Sequence, residues 1–297
     1  MLNIGNAPCS WGVEFPDDPK NPSWERVLDE AKKAGYKAME LGPVGFIPEN
    51  PELVKKAYAN RGLTLVAGVI FQPFHDPDSF DKLIDNVRRT CKALSAQGTK
   101  RLVFIDSISQ NRVTTAGRKE EAPRLEGDDL KKMIERIKKA CEIASGDFGC
   151  VPAMHAHAAG YVEFEDELLK VLDAIDDSLL KICFDTGHAT YAGFDIIDFY
   201  KKHADRVSYI HLKDIDPKVK ADAIKNRTSF YDACAQGIFC NLGKGEVDFL
   251  AFKKALEEKG YNGWATVEQD CDPAGKNSPL DDSIENLNFL KSIGLSN

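Results

Sequence analysis

Five of the six histidines, His75, His155, His157, His188 and His211, lie at or just beyond the ends of short apolar runs of strand character. Three acids, Glu40, Asp185 and Glu268, hold the same kind of position. Imidazoles and carboxylates delivered from neighbouring strand ends can converge on one divalent cation, because adjacent strands lie about 4.8 Å apart. A nitrogen and oxygen donor set without thiolates suits a hard or borderline ion. Mn2+ is placed first, with Co2+, Mg2+ and Zn2+ as alternatives.

Each position has a plainer reading. Asp185-Thr186 could cap the helix that follows, and His211, after Tyr209-Ile210, could be a core histidine whose ring nitrogens are satisfied internally. Asp106 and Asp214 precede helices, where acids are common, and His203 sits at a polar helix end. Cys183 lies two residues before Asp185, on the same strand face and one layer deeper, and reads as structural. Mutual support favours chemistry at the ends of strands five to eight, where several donors would meet.

For these ends to meet, the strands must be parallel and open on one face. Apolar runs at 3–7, 38–41, 63–71, 101–106, 150–154, 180–185, 207–214 and 264–268 alternate with helix-like stretches near 23–34, 51–60, 78–96, 128–144, 165–175, 195–202, 248–259 and 283–293. Ser23 is set to cap the first helix and Gly35 to end it. Residues 107–126 read as a polar loop, and 215–247 as an insertion with its own short helix near the functional face. Eight strands, each followed by a helix, define an α/β protein, a (β/α)8 barrel spanning residues 1–297 as a single domain, whose functional loops gather at the C-terminal strand ends. An open doubly wound sheet is the alternative, but no GxGxxG follows the first strand.

The totals narrow the function. The 297 residues are 43% hydrophobic and 29% charged, with a net charge of −8, a composition of soluble globular proteins. The acidic balance argues against nucleic acid as a partner. No apolar run approaches the 18 residues of a membrane span, and the first residues lack a signal-peptide pattern. Eight cysteines without a CxxC pair read as reduced thiols of a cytoplasmic protein. Homo-oligomerisation is compatible with the sequence.

Three pieces are specific: Phe184-Asp185-Thr186-Gly187-His188, His211-Leu212-Lys213-Asp214 and Gly263-Trp264-Ala265-Thr266-Val267-Glu268-Gln269-Asp270. In this order they resemble the xylose-isomerase-like TIM barrels, the superfamily of sugar-phosphate isomerases and epimerases, across nearly the whole chain. Ala7-Pro8-Cys9-Ser10-Trp11-Gly12, His155-Ala156-His157 leading to Glu163, and Ser229-Phe230-Tyr231-Asp232-Ala233 look like the inosose dehydratase branch.

The resemblance implies metal ligands at Asp185, His211 and Glu268. Most members carry a glutamate at the end of strand five, where this chain has His155. Either His155 coordinates, or Glu163 reaches in as the fourth ligand while His155 binds substrate; Glu163 is slightly preferred. The implied reaction is proton abstraction beside a carbonyl of a small keto-polyol, foremost dehydration of a keto-inositol. His75, His157, His188 and Glu40 are the candidate acids and bases. Lys213 is an electrostatic partner, and Trp11 and Phe74 are candidate pocket walls. Isomerisation or epimerisation at the same site is the alternative. A barrel that only binds sugar, or a hydrolase like the apurinic-site endonucleases of the superfamily, is less favoured.

Overall fold

Strand alternation sorts the residues of this chain onto two surfaces. The computed structural model describes residues 2–270 and 278–296; Cys271 lies outside them. Ala38, Val66, Val103, Ala153, Cys183 and Tyr209 form one buried cluster, the interior of the barrel. Their neighbours Met39, Leu65, Leu102, Phe104, Met154, Ile182, Phe184, Ile210 and Leu212 point the other way, into the larger core shared with the helices.

The strands are β1 (Asn3–Asn6), β2 (Ala38–Met39), β3, β4 (Arg101–Asp106), β5 (Val151–His155), β6 (Lys181–Asp185), β7 (Val207–Leu212) and β8 (Trp264–Val267). β3 runs in two pieces, Thr64–Leu65 and Gly68–Gln72. All pairings between these strands are parallel. The first piece of β3 pairs with β2 and the second with β4. A bend at Val66-Ala67 thus passes the strand from one neighbour to the other and joins the two ends of the sheet, as the (β/α)8 barrel requires. Space inside is tight: a Cβ on Gly5 would stand 3.2 Å from Thr266 Oγ1 and 3.4 Å from Ala38 Cβ.

Eleven helices surround the described strands: α1 (Trp24–Ala34), α2 (Pro51–Ala59), α3 (Phe80–Ala96), α4 (Gly127–Phe148), α5 (Glu165–Ala174), α6 (Thr186–Tyr191), α7 (Ile196–His203), α8 (Pro217–Asn226), α9 (Phe230–Ala235), α10 (Phe249–Glu258) and α11 (Pro279–Ser292). The Ser23 side chain accepts from Arg26 N to start α1, and Gly35 ends it at φ 103°, where glycine avoids the Cβ penalty. α4 outruns the expected 128–144, because nothing stops it before Gly149 at φ 65°. None of the described helices is long and apolar enough to cross a membrane.

Two irregular regions are held by buried polar groups. In the loop 107–126, Arg112 is fully buried; it donates to Glu167 Oε1 at 2.7 Å, to Glu163 Oε2 at 3.0 Å and to Pro123 O at 2.8 Å. The insertion carries α8, α9 and a short antiparallel pair, Asp214–Ile215 with Phe239–Cys240. It has its own apolar cluster, with Ile215, Ala223, Phe230, Ala233, Ile238 and Phe239 packed beside Tyr191 and Ala159. Asp214 accepts from the backbone N–H groups of Ile215, Gly243, Gly245 and Val247, so its role is to shape this segment.

The end of β4 and the loop after β5 touch where Gly160 meets Asp106. A Cβ at Gly160 would lie 2.5 Å from Asp106 O, a contact that only backbone movement can relieve. Gly160→Ala is expected to lower stability by about 1–3 kcal/mol, measured as a fall of several degrees in Tm.

Candidate metal centre

The alternation that fills the barrel also builds the site, in tiers. β5 carries Ala153, His155 and, just past its end, His157; β6 carries Cys183 and Asp185; β7 leads from Tyr209 through His211 to Lys213; β8 leads from Thr266 to Glu268 and Asp270. In each series every second residue faces inward. The lowest member packs in the barrel interior, the middle member forms a donor layer, and the upper member rims a cavity. Gly187, third in the β6 series, leaves room for its neighbour, since a Cβ there would stand 2.6 Å from Lys213 Cγ.

His155, Asp185, His211 and Glu268 are buried, each with one ligand atom within 4.8 Å of the others. His155 Nε2 is 3.3 Å from Asp185 Oδ2, and His211 Nδ1 is 3.2 Å from Glu268 Oε2 and 4.0 Å from Asp185 Oδ2. Both ring nitrogens of His155, Asp185 Oδ2 and His211 Nδ1 have no hydrogen-bond partner. Unpartnered polar atoms are costly in a protein interior, and four donor groups converging on one point have a common remedy. They fit a divalent cation.

The surroundings orient these atoms. Asp185 Oδ1 accepts from His188 N at 2.6 Å, capping α6, which leaves Oδ2 for the centre. The cap reading of Asp185 is therefore true of one oxygen. His211 Nε2 is 3.0 Å from Glu40 Oε1, which also accepts from Tyr209 OH at 2.8 Å; the Tyr209 hydroxyl is in turn hydrogen-bonded to Thr266 Oγ1. With Nε2–H donating to Glu40, Nδ1 is the nitrogen turned toward the centre, an arrangement typical of metal-ligating histidines. Burial alone would lower the His211 pKa, but Cys183, Glu268 and Glu40 raise it well above the usual range, so a metal at Nδ1 displaces a proton. Burial would likewise raise Glu268, yet His211 and Lys213 hold it at about 2.

Above the donor layer lies a cavity of about 110 Å³ lined by Glu40, His157, Lys213, Phe230, Glu268 and Asp270 among others. The Lys213 ammonium is 2.8 Å from Asp270 Oδ2 and 3.3 Å from Glu268 Oε2, and sits 4.6 Å over the Phe239 ring. Burial pulls its pKa down, but Asp270, Glu268 and Asp185 outweigh that and keep it well above the usual range. His188 lies behind, its Nδ1 accepting from Ala158 N at 3.2 Å; burial and Lys213 lower it to about 4. His157 Nδ1–H donates to Ala158 O at 2.8 Å, leaving Nε2 as the acceptor. Burial, with His188, His155 and Lys213 nearby, keeps this ring neutral, well below the ordinary histidine pKa.

Five residues expected at the site take different places. Glu163 does not reach the centre: Arg112 and the N–H groups of Gly117 (2.6 Å) and Ala159 (3.1 Å) occupy its carboxylate, and His155 stands in the fourth position instead. His75 is turned off the mouth, because Pro73 ends β3 and the next turn brings the ring to Asp106, 2.8 Å away, and against Tyr161. Trp11 is buried with Nε1 donating to Glu30 of α1 at 2.8 Å; Phe74 packs on Phe104. Glu40 backs His211 rather than standing free. Asp270 and Tyr209 do carry a sequence signal, the two-residue step from Glu268 and His211. The insertion residues Phe230 and Phe239 had none.

The family model for the xylose isomerase-like TIM barrel matches residues 28–293, and the chain belongs to that family. It is an enzyme. The chain is similar to an inosose dehydratase of Clostridium perfringens, 29% identical over 297 residues and covering 98% of this chain and 97% of the relative. Among solved structures it resembles the IolI protein with a bound zinc atom, at a TM-score of 0.73 and 14% identity, covering 98% of both chains. It also resembles an L-ribulose 3-epimerase, at 0.71 and 17%, covering 99% of this chain and 94% of the other.

Two outcomes separate the ligands from their supports. His155→Ala is expected to weaken Mn2+ binding at least a hundredfold by titration calorimetry, whereas Glu163→Gln keeps one ion per chain and loses thermal stability; the reverse pattern would restore Glu163 as the ligand. Glu40→Gln, which removes the charge behind His211, is expected to weaken the metal about ten- to a hundredfold.

Proposed function

We propose that this enzyme carries out a metal-dependent dehydration of a cyclic keto-polyol, a keto-inositol foremost. One observation carries the reading: a buried quartet of donor groups, three of them with ligand atoms that lack a hydrogen-bond partner, floors a cavity whose upper rim holds a fixed ammonium and a neutral imidazole. The full-length similarity to proteins named inosose dehydratase supports the substrate class. His155, Asp185, His211 and Glu268 would hold the ion, Mn2+ foremost. When bound, it supplies polarisation of a substrate carbonyl, which acidifies the neighbouring C–H.

The chain's own groups supply the rest. His157 Nε2, neutral and facing the cavity, is placed to take the proton from the carbon beside the carbonyl. The hydrogen bond from Nδ1 to Ala158 O fixes the tautomer in which that nitrogen can accept. Lys213, held between Asp270 and Glu268, is placed to donate to the departing β-hydroxyl, which leaves as water. His188 stays neutral and supports both, its ring centroid 4.0 Å from that of His157 at a tilt of 31° and its Nε2 3.2 Å from the Lys213 ammonium. Phe230 and Phe239 limit water around these groups.

Purified protein with Mn2+ and 2-keto-myo-inositol is expected to generate an enone absorbance that chelation abolishes and Mn2+ restores. Asp185→Asn and Glu268→Gln should lower kcat/KM by at least a thousandfold, and Lys213→Met should lower kcat about a hundred- to a thousandfold with less effect on KM. Solvent deuterium entering an intact carbon skeleton, without enone, would instead establish isomerisation or epimerisation. Unchanged activity in the Asp185 and Glu268 variants would overturn the metal-centred reading.

A further inference from the structure

A second cavity of about 500 Å³ opens beside the first. The two share Glu14, Pro43, Val69, Phe71, Ile108 and Tyr231 in their linings, so the outer space directly adjoins the one over the donor layer. The outer space is several times larger than the inner one, far more than a single six-membered ring needs.

Its lining has a consistent chemistry. Phe15 and Tyr231 are 54% and 49% exposed, and large aromatics left in solvent at the rim of a cavity mark a binding surface. Phe71 stands at the junction, 6.4 Å from Phe15 and 5.3 Å from the His157 ring, so aromatic faces continue from the outer cavity to the candidate base. Between them lie uncharged hydrogen-bonding groups, the amides of Gln72 and Asn86 and the hydroxyl of Ser107. An amide offers donor and acceptor together, the pairing that a row of hydroxyls requires. The cations and acids on this rim do not form a field of one sign: Arg89 is tied to Glu49 and Asp85, and Lys82 shares the lining with Glu14 and Asp17.

We infer that the outer cavity is a subsite for a second, uncharged sugar ring joined to the reacting keto ring, so that the preferred substrate class is a glycosylated keto-polyol. Flat aromatic surfaces take the C–H face of such a ring, and the amides and hydroxyl take its edge. With Glu14 and Asp17 beside Lys82 and Arg89 in the lining, the rim carries no net charge that would select a phosphate or carboxylate substituent. The inference rests on the proposed keto-polyol reaction for the inner ring, and the outer ring takes no part in the chemistry.

The test uses the full chain loaded with Mn2+ and compares a keto-inositol with its glucosyl conjugate. The conjugate is expected to have a kcat/KM at least tenfold higher. The ratio of the two values should fall about three- to tenfold in Phe15→Ala and in Gln72→Ala, the size of one stacking or hydrogen-bonding contact. Turnover of the bare ring with no gain from the glucosyl group would overturn the subsite. Binding separates this from the reaction itself: by calorimetry, unoxidised glucosyl-inositol should bind wild type and Asp185→Asn more tightly than inositol does, and Phe15→Ala should remove most of that gain. A gain in binding without turnover of either ketone keeps the subsite and overturns the proposed reaction. Equal binding of inositol and its glucosyl conjugate overturns the subsite whatever the turnover.

Discussion

A strand can send only every second side chain into a closed barrel, and most of what this protein has at its centre follows from that limit. The interior is filled low down by Ala153, Cys183, Tyr209 and the hydroxyl of Thr266, which share a buried tier with Gly5 and Ala38. One step up, the same four strands must present something else, and they present His155, Asp185, His211 and Glu268. A third step gives His157, Lys213 and Asp270. The packing of the first tier is thus the foundation of the second, because a side chain whose strand cannot shift has only its rotamer left to choose.

Support from outside the barrel removes even that choice. Glu40 holds one nitrogen of His211 and is itself held by Tyr209. The backbone of α6 takes one oxygen of Asp185. Arg112, Glu163 and Glu167 join the loop 107–126 to the segment that carries His157. These contacts are individually modest, but a buried charge network with one partner missing costs about 3–5 kcal/mol, so the loops it joins move together or not at all.

The parts of this design that repeat with a short period were legible in the sequence. Alternating apolar runs placed all eight strands, and the histidines at their ends pointed to the centre. His75 misled because the pattern reports position along a strand and not the turn after it: Pro73 redirected the chain within two residues. Glu163 misled for an electrostatic reason, since the guanidinium that occupies it, Arg112, lies 51 positions away in the chain. Trp11 carried the signal of a pocket wall, yet its indole turns toward α1, and only the three-dimensional course of the turn Pro8–Trp11 decides that. Asp270 was available by counting two residues from Glu268.

His155 has a consequence beyond its place in the quartet. In the proposed set of two imidazoles and two carboxylates, a divalent ion meets two negative charges and is balanced by them, whereas a third carboxylate would leave the assembly anionic. A balanced ion gives up less of its pull to its own ligands and directs more of it at the oxygen of whatever lies above. By exchanging one oxygen donor for nitrogen at the end of β5, this barrel would gain electrophilicity toward its substrate and hold its metal less firmly against competing chelators.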